Sequence, residues 1–189
     1  VCAEMHFFDL LFVFGLLGMV IGSVRAIYQT DSKRMAAMSS VAQIGYIYMA
    51  LGLGTAAGAV AAGLQIVVHS FTKAMIFCSI GKLSEVSGHK LDWPSLRGSA
   101  RQRPLAGLLF SLGGLSLCGI PALAGFGVKY SIAQSALQGQ TLFLLTMLML
   151  GISSVLNALY YIPAIINIWA NPAVKHEPPG SGAYHRAIP

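Results

Sequence analysis

The stretch from Met35 to Thr72, MAAMSSVAQIGYIYMALGLGTAAGAVAAGLQIVVHSFT, holds no charged residue and is bounded by Arg34 and Lys73. One crossing of a bilayer's hydrocarbon core takes about 20 helical residues, so a stretch of this length must turn back. Its small-residue run, Gly52, Gly54, Thr55, Ala56, Ala57 and Gly58, supplies the turn, and two spanning helices follow, 35–53 and 59–81. Outward from this hairpin, residues 10–24 are uncharged between Asp9 and Arg25, which gives a first span over 7–28. Charges return from Lys82 to Arg103, around Trp93 and Pro94, as one long aqueous loop. From Pro104 the chain is apolar until Gly119, Pro121, Gly125 and Gly127 interrupt it. Proline and glycine break the helical hydrogen-bond ladder, so the span 104–137 is expected to be discontinuous. Gln138, Gly139 and Gln140 lead to a fifth span, 141–169, and the tail 171–189, rich in Pro and Gly, reads as flexible and cytoplasmic. The expected fold is all-α: a polytopic membrane domain over 1–170 with five transmembrane helices, the fourth broken.

Of the 189 residues, 56% are hydrophobic and 10% charged, against about a quarter charged in a soluble domain. That excludes a water-soluble enzyme, and a mean hydropathy of +0.70 excludes a nucleic-acid binder despite the net charge of +6. The positive charge is sided. Arg25, Lys33, Arg34, Lys82, Lys90, Arg97, Arg101, Arg103, Lys175 and Arg186 all fall on one side of the expected spans, while Glu4 and Asp9 mark the other. The positive-inside rule then places the N-terminus outside and the C-terminus in the cytoplasm of a cell (inner) membrane. Cys2, Cys78 and Cys118 are odd in number, widely spaced and set among apolar residues, and are expected to be buried small hydrophobes rather than a disulfide or zinc set. The chain begins at Val1 with no basic segment before its first apolar run, so no cleavable signal is read, and a fragment or a naturally split subunit is expected.

Two cations remain, Lys73 and Lys129, both inside expected spans. A charged side chain at the bilayer centre costs about 2.5–3.5 kcal/mol on insertion scales, so each needs a reason. With a helix end near Gly81, Lys73 lies roughly 12 Å from the aqueous face at 1.5 Å per residue, too far for its stem to bridge. Lys129 stands just past the helix break, where irregular backbone at membrane depth must be buried in protein or line a wet cavity. Its structural alternative is to satisfy carbonyls freed at Pro121. His69 precedes Lys73 by one turn on the same face and belongs to the one residue type that titrates unperturbed near neutral pH. Lys73, Lys129 and His69 therefore form the candidate proton-translocation set. Ser70, Thr72, Tyr130, Asn157 and Tyr161 form a candidate polar path. Ser39, Ser40, Gln43, Tyr46 and Tyr160 are further polar groups that serve equally as interhelical glue. Gly18 with Gly22, and Gly54 with Gly58, have the spacing of close helix packing. All six carboxylates lie in terminal segments or loops, Ser70 beside His69 lacks an acid to complete a triad, and Gly52 to Gly58 lacks a phosphate loop's Gly-Lys-Ser/Thr ending. No catalytic centre, metal site or cofactor site is read in this chain.

Three segments, TDSKRMAAMSSVAQIGY (30–46), HSFTKAMIF (69–77) and GIPALAGFGVK (119–129), resemble in order and spacing the motifs of the antiporter-like subunits. These are shared by respiratory complex I, Mrp-type cation/proton antiporters and membrane-bound hydrogenases. The loop ending Leu96-Arg97-Gly98 and the run Asn157 to Pro163 look closer to the Mrp and hydrogenase branch. The resemblance, over about Phe7 to Trp169, implies the second of two inverted five-helix repeats, one half of an antiporter-like fold. It puts Lys73 in the place of the buried lysine on the helix before the broken one, and Lys129 in that of the lysine or glutamate within the broken helix. The family's usual pair of prolines is Pro121-Ala122 here, and the first repeat is absent. A matching five-helix half is therefore expected from elsewhere, bringing a carboxylate near Lys73 or Lys129. The implied function is a proton, or cation/proton, translocating subunit of a redox-driven complex (NADH:quinone oxidoreductase-like or hydrogenase-like) or of an antiporter. The alternative is a non-transporting structural subunit. Expected partners are membrane lipid, other membrane subunits and protons, with Na+ as a further candidate, and redox cofactors are expected only on partner subunits.

The charge distribution makes a topological prediction: cysteines placed at Ser99 and Gly139, in a background without the native cysteines, react with a membrane-impermeant reagent from opposite sides. Labelling of both from the same side would refute the layout.

Overall fold

Side chains fix where the helices begin. In the computed structural model, which describes residues 2–138 and 142–171 with side chains from Phe7 onward, the Asp31 carboxylate accepts the Arg34 N–H at 2.9 Å. Thr55 accepts the Gly58 N–H at 2.9 Å. Each satisfies a donor that a helix N-terminus leaves free, and each opens a long helix: α2 (Ser32–Gly52) and α3 (Ala56–Val86). Before them runs α1 (Cys2–Ile27), and after them α4 (Ser99–Gln102), α5 (Pro104–Cys118), α6 (Ala124–Gln138) and α7 (Phe143–Trp169). Among the described residues there is no strand, only one isolated antiparallel bridge between Asp31 and Asp92. Phe7–Ile27, Ala56–Val86 and Phe143–Trp169 are long and apolar enough to cross a membrane. The tail 172–189 and residues 139–141 lie outside the described residues.

Glycines join α1 to α2. A Cβ at Gly15 would strike the backbone of Gly45 and Met49, one at Gly22 the backbone of Ala42, and one at Gly52 the backbone of Phe12. Two glycines on each helix, spaced by seven, thus let the backbones meet, which is how apolar helices associate where lipid is as apolar as leucine. Gly18, singled out with Gly22 by its four-residue spacing, is looser: its Cβ would come 3.4 Å from Gly45, an ordinary contact. Of the other pair, Gly54 adopts φ +64° in the α2–α3 turn.

The helices enclose two separate apolar clusters. One, at the cationic end, gathers Met35, Ile76, Ile80, Leu83, Phe110 and Ile168. The other gathers Phe12, Met19, Met49, Ala61, Val128 and Ile132. Along α2, α3 and α7 buried polar residues lie between the two clusters: Ser39 and Gln43, then Gln65, Thr72 and Lys73, then Ser153 and Asn157. A polar layer crosses the middle of the molecule.

The loop at the cationic end differs from the open aqueous segment expected from its composition. α3 continues to Val86 rather than stopping near Gly81, α4 adds a helical turn, and Leu96 is buried. The Trp93 indole N–H donates to the Gln29 carbonyl at 3.1 Å, Asn167 donates to the Trp93 carbonyl at 2.7 Å, and Arg101 donates to the Trp169 carbonyl at 3.0 Å. The loop therefore straps the α1–α2 link to the end of α7, where Arg101 also meets the negative end of the helix dipole. On its surface Glu85 pairs with Lys82 at 2.7 Å and Arg103 at 3.4 Å. Such exposed pairs add little stability. Two details correct the sequence reading. Cys78 is exposed, not buried, because it lies on the outward face of α3, seven residues after exposed Phe71. Ser99 is buried by the strap, so exposed Lys90 is the better position for topological labelling.

The glycine seam gives a stability test by thermal unfolding in detergent. Gly22→Val, forced against the Ala42 backbone, destabilises by about 1–3 kcal/mol or more. Gly63→Ala, with nothing within 4 Å, stabilises by about 0.5–1 kcal/mol through helix propensity. Equal melting of the two variants would refute the seam.

Candidate functional site

Lys73 projects from α3 into the polar layer and is 6% exposed. Its ammonium donates to the Ala36 carbonyl at 2.7 Å, to the Ser39 hydroxyl, and to the Tyr161 hydroxyl at 3.3 Å. Ser39 and Tyr161 are themselves joined at 2.9 Å. Tyr161 is placed by Gly114 of α5: a Cβ there would come 2.9 Å from the tyrosine ring. α2, α3 and α7 thus converge on one nitrogen.

Lys129 sits where α5 gives way to α6. Gly119 ends α5 with φ +86°, and Ala122 takes φ +74°, a left-handed conformation costly for a residue with a Cβ. Pro121 brings no N–H, and Gly125 must be glycine because a Cβ would strike the Ser116 carbonyl. The Gly125 N–H instead donates to the Ser116 hydroxyl at 3.0 Å. Gly127 has open space around it. Carbonyls at the end of α5 lack helical donors, and the Lys129 ammonium supplies them: it reaches the Leu117 carbonyl at 3.2 Å, the Cys118 carbonyl at 2.9 Å and the Ser154 hydroxyl at 2.7 Å. Its stem lies across Gly119, where a Cβ would come within 2.9 Å of it. Asn157 adds a second donor to the Leu117 carbonyl at 3.0 Å and accepts from Tyr160 at 2.5 Å.

His69 is half-buried, and its Nδ1 is buried without a hydrogen-bond partner. It faces a cavity of about 10 Å³ shared with Lys129, Gln43, Gln65 and Ser116, large enough for about one water. The Gln43 Nε2 also lacks a partner. The histidine is therefore placed on the Lys129 side of the layer as well as one turn from Lys73.

The other residues singled out in the sequence divide. Thr72, Asn157 and Tyr161 are buried in the layer. Ser70 is exposed and donates back to the Ile66 carbonyl of its own helix at 2.8 Å, because one residue's step from His69 turns it to the outer face. Tyr130 is 55% exposed and accepts from Gln134 at 3.0 Å on the outside of α6. Sequence reasoning missed Gln65, Ser116 and Ser154. Gln65, His69 and Lys73 form a row at four-residue intervals, a signal that was available; Ser154 offered none. The expected carboxylate near the lysines is not needed for hydrogen bonding, since each ammonium has three neutral oxygen partners inside the chain. Its charge is left unneutralised by them.

The two settings permit different chemistry. Hydroxyls both donate and accept, so Ser39 and Tyr161 can turn to donate to a neutral Lys73 amine. Around Lys129 the two carbonyls can only accept.

Residues 3–156 match the family described as NADH:quinone oxidoreductase/Mrp antiporter, TM. The NADH-quinone oxidoreductase subunit N of Geotalea uraniireducens is 33% identical over 155 residues, covering 82% of this chain and 32% of that protein. In the Mrp complex from Dietzia, one chain superposes with a TM-score of 0.81 at 26% identity, over 89% of this chain and 31% of that one. Respiratory complex I from Thermus thermophilus gives a TM-score of 0.72 at 31% identity, over 87% and 36%. The matches fall in both the complex I and the Mrp branches, and the chain spans about a third of the length of these relatives. Family match, helical architecture and the structural likenesses agree: the chain belongs to the NADH:quinone oxidoreductase/Mrp antiporter membrane family.

Proposed function

We propose that this chain carries half of a proton, or cation/proton, pathway in a larger membrane complex, with Lys73, Lys129 and His69 as exchange sites. In this reading α1, α2, α3, the α5–α6 pair and α7 are five crossings, the fourth discontinuous at residues 119–123. The cationic loops and the C-terminus face the cytoplasm, and a matching five-helix half completes the path. Redox cofactors, where the complex is redox-driven, sit on partner subunits. The transported ion is the proton, with Na+ as the second candidate.

The observation that carries the proposal is Lys73. Lys129 has a structural task at the end of α5, which a scaffold subunit would also need, so its burial alone does not discriminate. Lys73 mends nothing: its carbonyl partner Ala36 lies inside α2. An ammonium held at membrane depth on neutral oxygens, two of them hydroxyls able to reverse their hydrogen bonds, suits gain and loss of a proton. A route toward Lys129 is supported by two connections. Tyr161 packs beside Tyr160 with ring centroids 4.8 Å apart and planes tilted by 48°, and Tyr160 leads through Asn157 to the Leu117 carbonyl that Lys129 also holds. His69 and the cavity form the other side. A single water there would give His69 Nδ1 and Gln43 Nε2 their missing partners.

The test is transport by the assembled complex in vesicles carrying a pH-sensitive dye. Lys73→Ala leaves assembly intact and lowers the rate at least about tenfold, which corresponds to ~1.4 kcal/mol on the barrier. Tyr161→Phe keeps the ring against Gly114 but removes the hydroxyl, and lowers the rate less. A Lys73→Ala complex that transports like the parent would establish the scaffold reading instead.

A further inference from the structure

Away from the polar layer, a groove of about 330 Å³ opens between α1, α2 and α7 at the cationic end. Ile27, Met35, Pro163 and Ala164 make its walls apolar, and Gln29 and Asn167 lie among its polar groups. Its size falls in the range of small-ligand sites, about 300–1,000 Å³. Leu159, also on its wall, is 54% exposed, and neighbouring Ile162 is 43% exposed, so the groove adjoins the outward apolar flank of α7. Trp93, whose indole is tied to the Gln29 carbonyl, stands at the same end, and tryptophan is enriched at the membrane–water boundary.

Charge says what kind of molecule suits this groove. The Gln29 side-chain amide folds back on the Arg25 carbonyl at 3.0 Å, which puts Arg25 one turn from the rim. Lys33 and Arg34 open α2 immediately before Met35. All three cations are exposed, and the side-chain ion pairs among the described residues involve only Lys82, Arg103 and Glu85. The nearby Asp31 carboxylate accepts the Arg34 backbone N–H as the cap of α2. Basic pockets between membrane helices on the positively charged side bind anionic lipid headgroups.

We infer that this groove holds an anionic phospholipid, with an acyl chain along Ile27, Met35, Pro163 and Ala164 and its phosphate against Arg25, Lys33 and Arg34. The site requires the chain to sit in a membrane and is independent of proton exchange at Lys73. The test uses the whole membrane protein that contains this chain, in bilayers with trace phosphatidylglycerol or phosphatidylcholine bearing a diazirine in the acyl chain. After photolysis, adducts are mapped by mass spectrometry. Phosphatidylglycerol adducts on residues 159–164 exceed those of phosphatidylcholine several-fold at equal mole fraction. The combined Arg25→Gln, Lys33→Gln, Arg34→Gln variant removes that excess, whereas Lys82→Gln, Lys90→Gln, Arg103→Gln, with the same loss of positive charge, keeps it. Ala164→Phe fills the groove without altering charge and removes the phosphatidylglycerol excess, leaving the two lipids equal at exposed Leu159 and Ile162, so the site remains testable if the triple variant fails to insert. Equal labelling by the two lipids, an excess that survives the triple Gln variant, or labelling of α1 with none at 159–164 would overturn the inference.

Discussion

Hydrocarbon offers no hydrogen bonds, so every backbone group at membrane depth must find its partner within protein. The end of α5 is where this constraint is hardest to meet. Its last carbonyls lie between the two apolar clusters, and the chain there passes through two left-handed residues before α6 can begin. One ammonium and one amide, Lys129 and Asn157, are spent on the Leu117 and Cys118 carbonyls. Once those groups are committed, Ser154, Tyr160, Ser116 and Gly125 follow as their supports. Part of the polar layer is thus accounted for by the hydrogen bonds that the α5–α6 junction requires.

Much of this was legible in the sequence because charge is so scarce. With 10% charged residues, the long uncharged runs stand out, and the helical hairpin 35–72, found as α2 and α3, needs only a residue count. The breaker run 119–127 was legible for the same local reason. What escaped was relational. The seam of Gly15, Gly22, Gly45 and Gly52 depends on the register of two helices, and a four-residue search within one helix finds Gly18 instead. Ser70 looked like a companion of His69 because it is adjacent in sequence, yet in a helix adjacency means a different face. The strap from Trp93 to Gln29 and Asn167 joins residues far apart in the chain, and its polar composition resembles that of any solvated loop.

The sequence already offered Lys129, and not Lys73, the carbonyls freed at the break; which groups surround each ammonium it could not supply. Removing a proton from Lys73 leaves an amine whose lone pair can accept from Tyr161, while Ser39 keeps its own bond to the Ala36 carbonyl. Removing one from Lys129 leaves a neutral amine with two N–H groups against two carbonyls and Ser154, whose hydroxyl already donates to the Leu150 carbonyl. That amine's lone pair finds a donor only if Ser154 abandons Leu150, while its two N–H groups, with Asn157 already on the Leu117 carbonyl, still satisfy both carbonyls. A buried acceptor left without a donor, here the amine lone pair, costs about 1–3 kcal/mol, comparable with the strain of the left-handed Ala122. A neutral amine at Lys129 therefore needs Ser154 to turn, whereas at Lys73 Tyr161 supplies the donor while Ser39 keeps its own bond.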